Sequence, residues 1–235
     1  SPGQGTIKRN KATCYACNEP VTLEYIKSEG RSGRFGHKMV AIVIDIGRGK
    51  GYIAPTEEQE QIAFNTPVDW SPDLKMSVHP QYMAPPRYGL THFKDLFTNR
   101  QLNSLTTISS LIHELHEELK SKTDKDYLNL ITLYLFFSVD RLADFNCDVS
   151  RWKASGEEQM QLFSSNRMAM AIDYTEANPI ASKTICWLNA VNRTAESVSF
   201  TLNKFSKPGI ALQKNAEVSH PSLKNLLIST DPPYY

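Results

Sequence analysis

The sequence contains no run of apolar residues long enough to cross a bilayer. Its most apolar stretch, Leu128 to Val139, is interrupted by Asn129, Thr132 and Ser138, and it falls short of the roughly 20 residues a membrane-spanning helix needs. No secretory leader is recognisable. Cysteine is scarce, with 4 in 235 residues; without a secretory signal, these argue for a reducing, cytoplasmic compartment rather than a disulfide framework. An excess of one charge is also lacking, and a formal net charge of +1 identifies no partner. Nucleotide-binding fingerprints are missing. Gly47-Arg48-Gly49-Lys50-Gly51 lies between two expected strands with no helix start behind it, so it reads as a hairpin loop and not as a phosphate cradle. A zinc-protease helix is excluded as well. In His113-Glu114-Leu115-His116-Glu117 the histidines stand three apart, whereas that site requires four.

What is present describes an ordinary folded chain of one or two domains, 40% hydrophobic and 22% charged. Residues 1–50 carry nine Lys/Arg against four acids. That surplus suits a nucleic-acid-facing element or the solvated face of a β-ribbon, and both readings stay open. Residues 21–53 are expected to be β-rich, with partial alternation over Val21 to Ile26, a clear strand over Met39 to Ile46, and Gly51-Tyr52-Ile53 pairing back. Pro55-Thr56-Glu57-Glu58 has the form of a helix start. The prolines that follow predict an irregular segment over 65–90, anchored by Trp70, Tyr82 and Tyr88. Apolar residues at 102, 105, 108, 111, 112, 115 and 119 form a helical stripe, with Thr98 as its cap. Two further helices are expected over Asp126–Phe145 and from about Ser182 to Asn203.

Two stretches carry chemistry. Cys14-Tyr15-Ala16-Cys17 before a turn is a zinc-knuckle pattern, because a tight loop can point two thiolates at one metal. A structural zinc needs four ligands, and Cys147 and Cys186 lie far along the chain. Three readings compete: a partner knuckle upstream of Ser1, a remnant without metal, or a redox pair. The second stretch is Leu226-Leu227-Ile228-Ser229-Thr230-Asp231-Pro232-Pro233-Tyr234-Tyr235. Its apolar run reads as a short buried strand that the prolines end. The loop that follows is expected at the carboxyl edge of a sheet, where open α/β folds bind ligands. Asp231 and the carbonyl of Pro232 can accept the two hydrogens of an exocyclic amino group and localise its lone pair. Pro233 stiffens the loop, and Tyr234 can stack on an unstacked base. The plainer reading is a proline-rich tail after a strand.

Over nearly its whole length the chain resembles the large adenine-specific DNA methylases that carry an N-terminal domain of unknown function and an inserted zinc ribbon. The matching stretches are Gly5-Thr6-Ile7-Lys8-Arg9 leading to Cys14 and Cys17, Tyr88-Gly89-Leu90 with Asp95 to Leu102, Asp140 to Asp144 through Arg151-Trp152, Glu176-Ala177-Asn178-Pro179, and Thr230 to Tyr235. Where the family carries a proline and a glycine in the knuckle, this chain has Tyr15 and Asn18. The resemblance implies an α/β fold: a partial Rossmann-like methyltransferase sheet with a β-rich half zinc ribbon and a helical insertion. It divides the chain into 1–54 (half ribbon), 55–205 (mainly helical insertion) and 206–235 (returning strands and catalytic loop).

The resemblance also implies S-adenosyl-L-methionine as cofactor, with Asn215 and Ala216 near its adenine ring, and zinc as a second cofactor at Cys14 and Cys17. It implies DNA as substrate and restriction or phage-defence proteins as partners, with no membrane. The expected activity is methylation of an exocyclic amino group, at N6 of adenine first and N4 of cytosine second. The glycine-rich cofactor loop of such enzymes would precede Ser1, so the chain is expected to be a fragment that is inactive alone. Two alternatives stay open, a non-catalytic nucleic-acid-binding module and methylation of an amino group in RNA or protein. Asn99, Arg100, Asn178 and Trp152 match the family pattern without a role that the sequence supplies. Arg100 and Arg151 suit either DNA phosphates or salt bridges to nearby acids.

Overall fold

Among the described residues strand pairing is confined to runs of two to four residues, so the sheets there are small and helices predominate. The computed structural model describes residues 7–8, 11–163, 167–181 and 185–202, with single positions at 213, 215 and 229. Two units, Ser1–Val198 and Ser199–Tyr235, are separately compact. In the second, the described residues are the end of one helix and the three single positions, which are exposed.

The first unit begins with an antiparallel three-stranded ribbon: β1 (Ile7–Lys8), β2 (Lys11–Thr13) and β3 (Pro20–Thr22), in the register Ala12 opposite Val21. Helix α1 (Leu23–Arg31) follows at once, because Thr22 caps it by accepting from the Tyr25 N–H. This differs from the strand expected over Val21 to Ile26. Leu23, Ile26 and Lys27 are half-buried and Gly30 is buried, positions that share one side of a helix, which the short partial alternation concealed. β4 (Ile42–Asp45) and β5 (Lys50–Ile53) form the expected hairpin, with Asp45 opposite Lys50. Its turn closes through the Ile46 N–H donating to the Gly49 carbonyl at 3.2 Å, with Gly47 at φ +85°. The strand is shorter than the apolar run from Met39, since only four partners face it.

α2 (Glu57–Phe64) starts in a full capping box between Thr56 and Gln59. In the irregular segment after it, Trp70 and Tyr82 are exposed rather than anchoring. Met76, Met83 and Pro85 take that part: Met76 is buried and its N–H donates to the Thr91 carbonyl at 2.8 Å. A 3-10 turn over Pro85–Tyr88 then leads to Gly89.

Two 21-residue helices, α3 (Asn99–Leu119) and α4 (Lys125–Phe145), pack as an antiparallel hairpin. Thr98 and Asp124 cap them. β6 (Trp152–Lys153) and β7 (Glu158–Gln159) make a last small ladder, and α5 (Trp187–Leu202) closes the described chain. Leu105, Leu142 and Ala190 form a core where α3, α4 and α5 meet. Met76, Leu96, Cys147, Val149, Leu162 and Met168 form a second core under the loops at the end of α4. Phe97 packs against both. The apolar stripe on α3 exceeds its burial, since Leu111 and Leu115 are exposed.

The described residues are thus mixed α/β, with five α-helices and three small antiparallel sheets. The strands expected over Ile210–Ala216 and Leu226–Ser229 lie outside the described residues apart from single positions. No helix among the described residues is long and apolar enough to cross a membrane.

Gly30 and Gly89 let α1 approach the 3-10 turn closely. A Cβ on Gly30 would stand 2.2 Å from the Tyr88 carbonyl oxygen, and one on Gly89, at φ +91°, 2.3 Å from the Gly30 carbonyl oxygen. Helix propensity alone makes Gly30→Ala stabilising by about 1 kcal/mol, but the collision with main chain outweighs this. Gly30→Ala is expected to lower stability by roughly 2 kcal/mol, whereas Gly36→Ala, in open space, should be nearly neutral; urea denaturation midpoints of the two variants check this.

Candidate functional site

The knuckle residues sit at the tip of the β2–β3 hairpin. The loop is closed by the Cys14 N–H donating to the Glu19 carbonyl at 2.8 Å and the Asn18 N–H donating to the Cys14 carbonyl at 2.9 Å. Asn18 stands at φ +59°, the left-handed conformation that asparagine tolerates better than most residues. The main-chain N–H of Cys17, and after it that of Ala16, donate to the Cys14 sulfur. With the Cys17 thiol they hold the Cys14 thiol below its ordinary range. Cys17 is exposed and Cys14 half-buried.

The pair suits one half of a tetrahedral thiolate site: two soft sulfurs on a tight turn, one of them already stabilised as the thiolate. Among the described residues no cluster of three or more Cys, His, Asp and Glu could complete it. Cys147 and Cys186 are buried in the cores. Burial pushes the Cys147 thiol up to about 12.

The stretches without a role in the sequence come together elsewhere, around the start of α3 and the end of α4. Thr98 and Gln101 exchange capping hydrogen bonds, which fixes the Gln101 side chain. The buried Gln101 Nε2 then donates to Asn146 Oδ1 at 3.3 Å, and the Ala177 N–H donates to the same oxygen at 2.9 Å. Arg100 pairs with Glu176 at 2.5 Å. Gln159 Nε2 donates to the carbonyls of Phe145 and Thr175 at 2.5 and 2.7 Å, and Ser150 Oγ donates to the Thr175 carbonyl at 3.2 Å. Three parts of the chain thus meet in one polar junction: 98–101, 145–150 with 159, and 174–177.

At this junction lies Asp148. Its main-chain N–H donates to the Leu96 carbonyl at 2.8 Å, while its Oδ1 is buried without a hydrogen-bond partner. Burial first, and then the charges of Asp95 and Glu176, push its carboxyl up to about 7. Arg100 does not relieve it, because Glu176 holds that guanidinium. Tyr174 is raised as well, mostly by burial, and its hydroxyl lies 2.7 Å from His37 Nδ1. Sequence reasoning missed Asp148. The available signal was an acid between two apolar residues, Cys147 and Val149, directly after a helix.

The remaining expected residues are placed as follows. Asn178 Oδ1 accepts from the Ile180 N–H at 3.0 Å, closing a local turn. Trp152 carries Lys50 over its ring at 5.3 Å. Asn99 is the exposed first residue of α3, and Arg151 is exposed and makes no ion pair among the described residues. The two histidines of the excluded zinc-protease pattern make contacts between α3 and α4: His116 Nδ1 lies 2.9 Å from Thr132 Oγ1, and His113 packs on Phe136. Asn215 is exposed. Ala216, Asp231, Pro232, Pro233 and Tyr234 lie outside the described residues.

Two outcomes are expected. In a thiol-reagent titration of the native protein, two thiols per chain, Cys14 and Cys17, react rapidly at pH 7, and Cys147 and Cys186 react only after denaturation. For Asp148, the folded-state value of about 7 lies above its ordinary 3.8. The folded state therefore binds the extra proton between these values, and the stability present below pH 4 is lost as pH rises to 7. Asp148→Asn should accordingly stabilise the protein by on the order of 2 kcal/mol at pH 8.5, and by much less at pH 4.5. Denaturation curves at the two pH values measure this. No family model matches the chain, and neither a curated protein nor a solved structure matches it.

Proposed function

We propose that this chain is part of an S-adenosylmethionine-dependent DNA methyltransferase acting on an exocyclic amino nitrogen, N6 of adenine first. The observation that carries the reading is the apolar run closed by Thr230-Asp231-Pro232-Pro233-Tyr234, because these residue types in this order supply what an amino group needs to become a nucleophile. Asp231 and the Pro232 carbonyl accept its two hydrogens and localise the lone pair on nitrogen. The prolines hold that carbonyl at low entropic cost. Tyr234 stacks on the extruded base. S-adenosylmethionine, when bound, supplies an electrophilic methyl group, and Asn215 and Ala216 line its adenine ring. Residues 206–235 then belong to a Rossmann-like sheet, with the ribbon around Cys14 and Cys17 as half of a zinc ribbon and the helices between them as an insertion.

Two further observations support the reading. The knuckle adopts the turn that a thiolate pair needs. The stretches Asp95 to Leu102, Asp140 to Trp152 and Glu176 to Pro179 meet in one junction, as parts of one design would. Asp231→Ala is expected to lower methyl transfer to DNA by the full-length protein at least about 100-fold. Transfer of labelled methyl groups to duplex DNA measures it, and undiminished transfer overturns the role given to Asp231.

A further inference from the structure

A pocket of about 470 Å³ opens beside the C-terminal half of α4. That is room for a nucleoside-sized ligand. Leu96 and Met168 make its apolar base, and Phe93, Phe97 and Phe163 line it with aromatic rings. Phe163 is 52% exposed at the rim of the pocket. The polar lining is Asp140, Arg141 and Asp144. Asp144 is committed to the fold, since its Oδ1 accepts from the Phe163 N–H at 2.8 Å and so holds that residue at the pocket. Asp140 makes no hydrogen bond or ion pair among the described residues, and partial desolvation with no compensating cation raises its carboxyl. Arg141 likewise makes no ion pair; its guanidinium lies 5.2 Å from the Phe145 ring centre.

This combination is selective. Aromatic rings offer stacking to any base. A free carboxylate accepts from an amino group such as N4 of cytosine, and an unpaired guanidinium suits a phosphate. A simple alkylammonium ligand would use the carboxylate but would meet Arg141 as a like charge. We propose that this pocket takes a nucleobase bearing an exocyclic amino group from single-stranded or locally opened DNA, with its ring among Phe93, Phe97 and Phe163, its amino edge at Asp140 and an adjoining phosphate at Arg141. The inference rests on the reading of the chain as part of a DNA-acting protein and adds to it a base-reading site in the helical region.

The test is fluorescence anisotropy with labelled oligodeoxycytidine and oligothymidine of equal length, about 12 nucleotides, titrated with the full-length protein without methyl donor at two salt concentrations. Cytosine presents an amino donor and thymine does not. Wild-type protein is expected to bind the cytosine strand about tenfold more tightly. Asp140→Ala should abolish the preference, Phe163→Ala should weaken both strands, and Arg141→Ala should weaken both alike and flatten the salt dependence by about one unit of slope. All three side chains are exposed, so the variants are expected to fold, and circular dichroism checks that they do. Equal binding of the two strands, binding of neither, or a preference kept by Asp140→Ala overturns the proposal. A cytosine preference alongside undiminished methyl transfer by Asp231→Ala would overturn the catalytic reading and leave the pocket standing.

Discussion

The buried amide bridge from Gln101 through Asn146 to the Ala177 N–H is the constraint on which the described unit depends. Gln101 and Asn146 are 1% and 2% exposed, so each polar atom left without a partner there would cost about 1–3 kcal/mol. The bridge meets that demand only when the start of α3, the end of α4 and the 174–177 segment stand in one arrangement. It thereby sets where Arg100, Asp148, Tyr174 and Glu176 stand. It also places the loop end of α4, and with it the pocket, over the second hydrophobic core. Phe97, packed against both cores, makes a change on one side felt on the other.

Charge is used locally rather than as a field. Four of the nine basic residues in 1–50 are held in ion pairs: Lys27 and Arg31 by Glu24, Arg34 by Glu29, and Lys38 by Glu60. Such exposed pairs add little stability, but they lower the positive potential that a nucleic acid would meet. Asp148 shows the opposite use of charge. Held beside Asp95 and Glu176 in a buried setting, it stores a cost that its proton relieves.

Much of the local structure was legible in the sequence. Thr56, Thr98 and the flanking acids mark helix starts because a cap is a contact between near neighbours. The Gly47–Gly51 hairpin, the α3–α4 pair and the structural role of His113 and His116 follow in the same way. The reading missed where two local patterns overlapped. Residues 21–26 satisfy a short alternation and a helical spacing at once, and the Thr22 cap decided for helix. Trp70 and Tyr82 were expected as anchors from their size, but the core took Met76 and Met83 instead.

The sequence by itself determined the cysteine knuckle, the caps, and the order of residues from Thr230 to Tyr235 that gives the chain its chemical reading. These features are set by residues within a few positions of one another. Only the tertiary structure decided that Gln101, Asn146, Asp148, Gln159 and Glu176 share one junction, and that Asp140, Arg141 and Phe163 face one pocket. Those residues are separated by up to 75 positions along the chain (101 to 176). What draws them together is the burial of α3 against α4 and the satisfaction of buried amides, neither of which leaves a periodic trace in the sequence.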